Sequence, residues 1–350
     1  MNNNWVLWLN KLGQEQSDLV GKKCANLGEM TRIGLRVPHG FTLSVEAYRD
    51  FMSMTGTTYE IQDYLTKFGS GIKELKQFNK LSDDIRQIVE SKVIPDEMER
   101  TIIKHYRELC QICNNSNIAV SIRSSGPVSH PGQYETYLNV IGESEVLDKV
   151  KKVWASTFNS RSLAFRNRQT MQMESDPIGV AIIKMVKAKC AGIIFTADPN
   201  NGDTSRMIIE ANWGLGESVV SGKSTPDIYI LDKVNLNILE KKLGPKSRYM
   251  VLSEAGVTEV ETPKEKALTL CLNDEEIKEI AQLGKTLEQH FGVPQDVEWA
   301  IDQDLPFPES VILLQTRAEI IAQKKSPIDQ IVDLMLSRSP GGQGFGGSGI

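Results

Sequence analysis

The 350 residues carry 40 lysines and arginines against 45 aspartates and glutamates, a formal net charge of -5, with 40% hydrophobic and 24% charged residues. This is the composition of a globular chain long enough for one large domain or two medium ones. The charge balance gives no general attraction to nucleic acid or to an anionic membrane, and neither is expected as a partner.

The opening Met1-Asn-Asn-Asn-Trp5 has neither a basic leader nor a long apolar run, so no signal peptide or membrane-spanning helix is expected. Next come a short strand near Trp5 to Leu9 and a helix from about Lys23 to Ile33. Gly34 ends the helix, and Val37-Pro38 leads into an extended Phe41 to Leu43. From Ser44 to about Cys113 the spacing is helical. Met98, Ile102, Tyr106, Leu109, Cys110 and Cys113 form one apolar stripe. Ile118 to Ile122 reads as a strand, then a loop rich in Ser, Gly and Pro, then a strand at Tyr137 to Val140 and a helical Val146 to Arg168.

The second half is richer in strands: Val180 to Val186, Gly192 to Thr196, Met207 to Ala211, Ile228 to Leu231, Val297 to Ile301 and Val311 to Gln315. One helix interrupts them, with Asn273 as N-cap, Glu276 three residues on, and Gly292 past its end. The alternation predicts an α/β or α+β protein of two lobes, residues 1–179 and 180–320. Residues 321–350 are expected to add a C-terminal helix and a flexible tail, Gly341-Gly-Gln-Gly-Phe-Gly-Gly-Ser-Gly349. Five scattered cysteines, Cys24, Cys110, Cys113, Cys190 and Cys271, suit a reducing cytoplasm. Cys110-Gln-Ile-Cys113 falls on the apolar stripe of its helix with no second Cys or His pair nearby, and reads as core packing.

Phosphoryl transfer from a nucleotide needs cations on the phosphates, backbone that approaches them closely, and oxygen donors for magnesium. Gly21 permits a tight approach before Lys22-Lys23. Arg123 ends a strand and opens the loop Ser124-Ser-Gly-Pro-Val-Ser-His-Pro-Gly132, which suits a flap over phosphates. Asp296, Glu298 and Ala300 alternate onto one strand face, and Leu313, Gln315 and Arg317 onto another. Taken singly, each feature has a plain alternative: a solvated lysine pair, a turn, an exposed sheet face with one salt bridge.

Gly21-Lys-Lys-Cys-Ala-Asn-Leu-Gly-Glu-Met30 with Gly34-Leu-Arg-Val-Pro-His-Gly-Phe41 resembles the opening of the phosphoenolpyruvate synthase, pyruvate phosphate dikinase and rifampicin phosphotransferase family. Further matches follow in the family's order: Ser121-Ile-Arg-Ser-Ser125, Gly132-Gln-Tyr-Glu-Thr-Tyr-Leu-Asn139, Phe195-Thr-Ala-Asp-Pro199, Asn212-Trp-Gly-Leu-Gly-Glu-Ser-Val-Val-Ser-Gly222, Pro294-Gln-Asp-Val-Glu-Trp-Ala-Ile301 and Leu314-Gln-Thr-Arg317. The resemblance covers about residues 10 to 320 and implies a two-lobed ATP-grasp fold with the nucleotide cleft between the lobes. It implies ATP and Mg2+ as ligands. Lys23, Arg123 and Arg317 would be the catalytic cations, Glu298 and Gln315 the magnesium ligands, and Thr136, Met185 and Val186 further nucleotide contacts.

The chain departs from the family's pattern in three places. Lys22 stands where the family usually has glycine. Ile183-Lys184-Met185-Val186 lacks the usual hinge glutamine, and the flap after Ser125 has the dikinase length. The complete family also carries a phospho-accepting histidine on a mobile domain. His39, His105, His130 and His290 lie in none of its surroundings. The acceptor is therefore expected on a histidine-domain partner subunit. A lone chain of this size resembles the smaller subunit of phenylphosphate synthase, whose final acceptor is phenol. A self-contained small-molecule kinase and a nucleotide-sensing module without turnover are the alternatives.

Overall fold

The computed structural model describes residues 4–69, 72, 74–126, 134–220, 222, 224–253 and 256–319. The expected C-terminal helix and tail, and most of the flap with His130, lie outside these residues. Among them, no helix is long and apolar enough to cross a membrane.

Two antiparallel sheets organise the chain. The first has five strands, β1 (Val6–Trp8), β2 (Gly40–Leu43), β3 (Val120–Ser125), β4 (Thr136–Val140) and β5 (Gly179–Lys184), in the order β1-β2-β5-β3-β4. The second has six: β6 (Ala188–Phe195), β7 (Arg206–Trp213), β8 (Asp227–Asp232), β9 (Ile238–Lys242), β12 (Gln295–Asp302) and β13 (Val311–Ala318). Their order is β13-β12-β6-β7-β8-β9. β10 (Arg248–Ser253) and β11 (Gly256–Glu261) form a separate hairpin. The result is the mixed α+β, two-lobed, ATP-grasp-like architecture.

The long helical stretch after Ser44 resolves into Val45–Met54, Thr57–Phe68, Leu75–Glu90 and Asp96–Ile112. Ser44 opens it by accepting the Ala47 N–H on its hydroxyl, and Gly56, at φ 69°, makes the first break. Met98, Ile102, Tyr106, Leu109 and Cys110 of the last helix are buried in one core with Phe41, Ile122 and Ile182 of the first sheet. Cys110 and Cys113 are free thiols in or beside that core.

The second core lies beneath the other sheet, where the helix Asp274–Phe291 packs Ile277, Ile280 and Leu287 against Val297, Trp299 and Leu313. That helix opens with the reciprocal bonds its sequence predicts. Asn273 accepts from the Glu276 N–H and Glu276 accepts from the Asn273 N–H, both at 2.9 Å, and Gly292 closes it at φ 72°.

Three expectations change. β5 begins at Gly179, where the second lobe was to start, yet it pairs with β2 and β3 of the first sheet. The chain therefore passes from the first sheet to the second between Lys184 and Ala188. A buried apolar run marks a strand without saying which sheet takes it. The helix Lys22–Arg32, from the N-terminal end of the chain, buries Cys24, Leu27 and Met30 in the second lobe's core, so packing does not follow chain halves. Finally, a bulge between Glu298 and Trp299 shifts the β12–β13 register. Leu313 thereby turns into the core and Leu314 faces the cleft in its place.

Candidate active site

Two cavities are linked by the contact between Arg123, which lines the first, and Gln315, which lines the second. The first, about 560 Å³, is walled by the hinge Ile183, Lys184, Met185 and Val186, by Thr136 and Leu138 of β4, and by Leu215, Gly216, Glu217 and Val220. Val186, Ala191, Ala300 and Leu314 give it an apolar floor, with Ile312 in the same cluster. Such a slot suits a flat aromatic base. The second, about 510 Å³, is lined by Lys22, Lys23, Asn26, Gln315 and Arg317, with no carboxylate among its described lining residues. It suits an anion.

Arg123 joins the two. It sits on β3 opposite Thr136, and its Nη2 donates to Glu298 Oε2 at 3.3 Å and Gln315 Oε1 at 3.4 Å. Glu298 and Gln315 are themselves register partners on β12 and β13. A carboxylate oxygen and an amide oxygen thus point at one spot, while the buried Arg123 Nε has no partner among the described residues. A buried, unpaired guanidinium N–H calls for an anion.

Local structure brings Lys23 to the same place. Gly21 lies at φ 79°, and a Cβ there would fall 2.0 Å from the Ser125 carbonyl oxygen. Only glycine lets the helix start dock on the end of β3. The Lys22 N–H donates to the Gly126 carbonyl and the Cys24 N–H to the Ser125 hydroxyl. Asn26 Nδ2 donates 2.9 Å to the Thr316 carbonyl, pinning the helix along β13. Burial, with the Arg123 charge beside it, depresses the Lys23 ammonium to about 8.

Arg317 is held by Asp296, with Nε and Nη2 at 2.8 and 2.6 Å from Oδ2. Burial raises the Asp296 carboxyl, and Arg317 opposes that rise. Lys22, the departure from the family's glycine, is exposed on the rim of the second cavity.

The structure thus gathers Arg123, Glu298 and Gln315 in direct contact, with Lys23 and Arg317 on one side and Thr136, Met185 and Val186 on the other. Sequence reasoning did not single out Asp296 as a partner of Arg317, although it shares the Glu298 face. It also passed over Leu215 to Val220, although they lie within a quoted motif.

The described histidines are elsewhere. His105 packs its ring against Trp8 and Phe41, and His290 contacts Glu29. His39 is exposed beside Pro38. Among the described residues no group of three or more His, Cys, Asp or Glu side chains is placed to hold a metal alone.

Residues 17–336 match the family described as pyruvate phosphate dikinase, AMP/ATP-binding domain. Among whole proteins, the chain is 36% identical over 346 residues to a probable phosphoenolpyruvate synthase of Staphylothermus marinus, covering 91% of this chain and 41% of that one. It is 40% identical over 303 residues to a probable phosphoenolpyruvate synthase of Archaeoglobus fulgidus, covering 85% and 40%. To the phosphoenolpyruvate synthase of Aeropyrum pernix it is 35% identical over 358 residues, covering 93% and 43%. The chain therefore spans about two fifths of the length of these relatives. A solved structure of the macrocyclase MdnC from Microcystis aeruginosa, bound with its precursor peptide, aligns over 77% of this chain and 74% of its own. At a TM-score of 0.23 and 10% identity that likeness carries no argument.

Proposed function

Because the chain belongs to the family of AMP/ATP-binding domains of pyruvate phosphate dikinase, we propose that it is the phosphoryl-donating component of a dikinase-type phosphotransferase. It would pass the β-phosphoryl of ATP to a histidine outside the described residues, on a partner subunit or a further domain. The observation that carries this reading is Arg123, bonded to Glu298 and Gln315 at the junction of an apolar cavity and a cationic one, with its Nε unpaired.

In this reading adenine lies against Met185 and Val186, Thr136 flanks the chain of phosphates, and Arg123, Lys23 and Arg317 hold the phosphate oxygens. The acceptor histidine attacks the β-phosphorus, the bond to the α-phosphate oxygen breaks, and AMP departs. Water takes the γ-phosphoryl as phosphate. The protein's share is positioning and charge neutralisation.

Glu298 and Gln315, whose oxygens converge on Arg123 Nη2, would supply the one or two protein oxygens that Mg2+ usually takes. When bound, the ion neutralises phosphate charge. Ile183, in the place of the family's glutamine, lines the cavity with an apolar side chain, so one polar contact to the nucleotide is lost or supplied elsewhere.

The final acceptor is a small molecule, for which pyruvate and phenol are the two to assay. The cytoplasm is the compartment proposed. Incubation with ATP labelled at the β-phosphate and a histidine-domain protein of the family should yield AMP and acid-labile label on that protein. Production of ADP would favour a self-contained kinase. Stoichiometric label on His130 of this chain would overturn the separate-acceptor reading.

A further inference from the structure

The hairpin β10–β11 touches both walls of the apolar cavity. At its base the Leu215 N–H donates 2.9 Å to the Met250 carbonyl, and Asn212 Nδ2 donates 2.9 Å to the Arg248 carbonyl. A Cβ on Gly214, at φ 64°, would fall 2.1 Å from the Met250 oxygen, so turn and hairpin are in close contact. This turn carries Leu215, Gly216 and Glu217 into the cavity.

At its far end the hairpin reaches the other lobe. Asn139 of β4 donates from Nδ2 to the carbonyls of Ser253 at 2.8 Å and Gly256 at 3.0 Å. Asn139 has φ 57°, a conformation that asparagine accepts more readily than most residues. One residue before it, Leu138 lines the cavity, as does Thr136. Both donors of one amide are thus committed to the hairpin, whose base is tied to β7 and the turn after it.

We propose that Asn139 is a positioning residue that latches the β10–β11 hairpin across the nucleotide cavity, so that nucleotide binding and closure of the latch support one another. The inference rests on the nucleotide reading of this cavity. Ligand contacts to Thr136 and Leu138 on one wall and to Leu215 and Glu217 on the other hold the lobes at the separation the two Asn139 bonds require. A ligand that favours the closed arrangement is in turn favoured by it.

Hydrogen exchange and nucleotide affinity test this in the full chain. In the parent, Mg-ATP should slow exchange of Ser253 and of the amides from Gly256 to Val260. Asn139→Gly tolerates the positive φ and removes both donors. It should lose that ATP-dependent protection and weaken ATP binding about tenfold, the equivalent of about 1.4 kcal/mol. Asn139→Asp, which keeps the shape without the N–H groups, should behave like the glycine variant.

Unchanged affinity in both variants, or no ATP-dependent protection of the hairpin in the parent, overturns the proposal. So does a lowered melting temperature with ATP protection retained, which would mark a purely structural bond. A parent that binds no adenine nucleotide would instead defeat the nucleotide reading itself.

Discussion

Lys23 offers a test in which the protein's own chemistry reports the phosphates. Burial and the neighbouring Arg123 hold its ammonium at about 8 against an ordinary 10.5, and Glu298 only partly compensates. At pH 8.5 about three-quarters of the empty protein then carries neutral Lys23, and at pH 7 only about a tenth does. A phosphate placed against the lysine favours the charged form, so binding must take up a proton at the alkaline end. At a pH well below 8, each unit by which the phosphate raises the pKa adds about 1.4 kcal/mol to binding.

Titration calorimetry of ATP in buffers of differing ionisation enthalpy counts those protons. Comparison with Lys23→Met cancels the titration of the nucleotide. The parent should take up up to about 0.7 proton more than the variant at pH 8.5 and almost none more at pH 7. For the empty fold the sign is opposite in origin. The native state binds fewer protons than the unfolded chain between about 8 and 10.5, so the lysine's cost is fully present below pH 8 and fades as pH rises. Equal proton uptake by parent and variant at pH 8.5 would remove Lys23 from the phosphate site.

Arg123→Ala and Glu298→Ala should leave circular dichroism unchanged and slow phosphoryl transfer to the histidine protein by about 100- to 1000-fold. Transfer at the parental rate by either variant would refute the site. Asp227→Asn should lower stability by about 3–5 kcal/mol in denaturant titration. It breaks a fully buried pair with Lys246, 2.5 Å away, and strands the lysine charge. An unchanged midpoint would show that the charge is tolerated unpaired.

What the sequence revealed and what it hid divide along physical lines. Alternation placed Glu298 on one face and Gln315 with Arg317 on another, because a strand's period of two is local. It did not reveal the bulge that exchanges Leu313 for Leu314 in the cleft, since an extra residue leaves no mark in side-chain chemistry. β9, β10 and β11 went unread. Their side chains are mostly half-buried or exposed, so no clean alternation separates them from loop. Lys246 is fully buried against Asp227, 19 positions away, an arrangement that no local spacing announces.

The contact at the centre of the candidate site is less local still. Arg123 meets Glu298 across 175 residues and Gln315 across 192. Periodicity can aim each side chain at a cleft, but only sheet order decides that the clefts are one. The motifs bridge that gap because they contain the joints as well as the candidate site residues. Gly21 is such a joint: no substrate need touch it, yet any side chain there would collide with Ser125 and push Lys23 away from Arg123. A glycine that looks like local punctuation is thus a long-range constraint, one that holds the first lobe's β3 against the helix that carries the lysine.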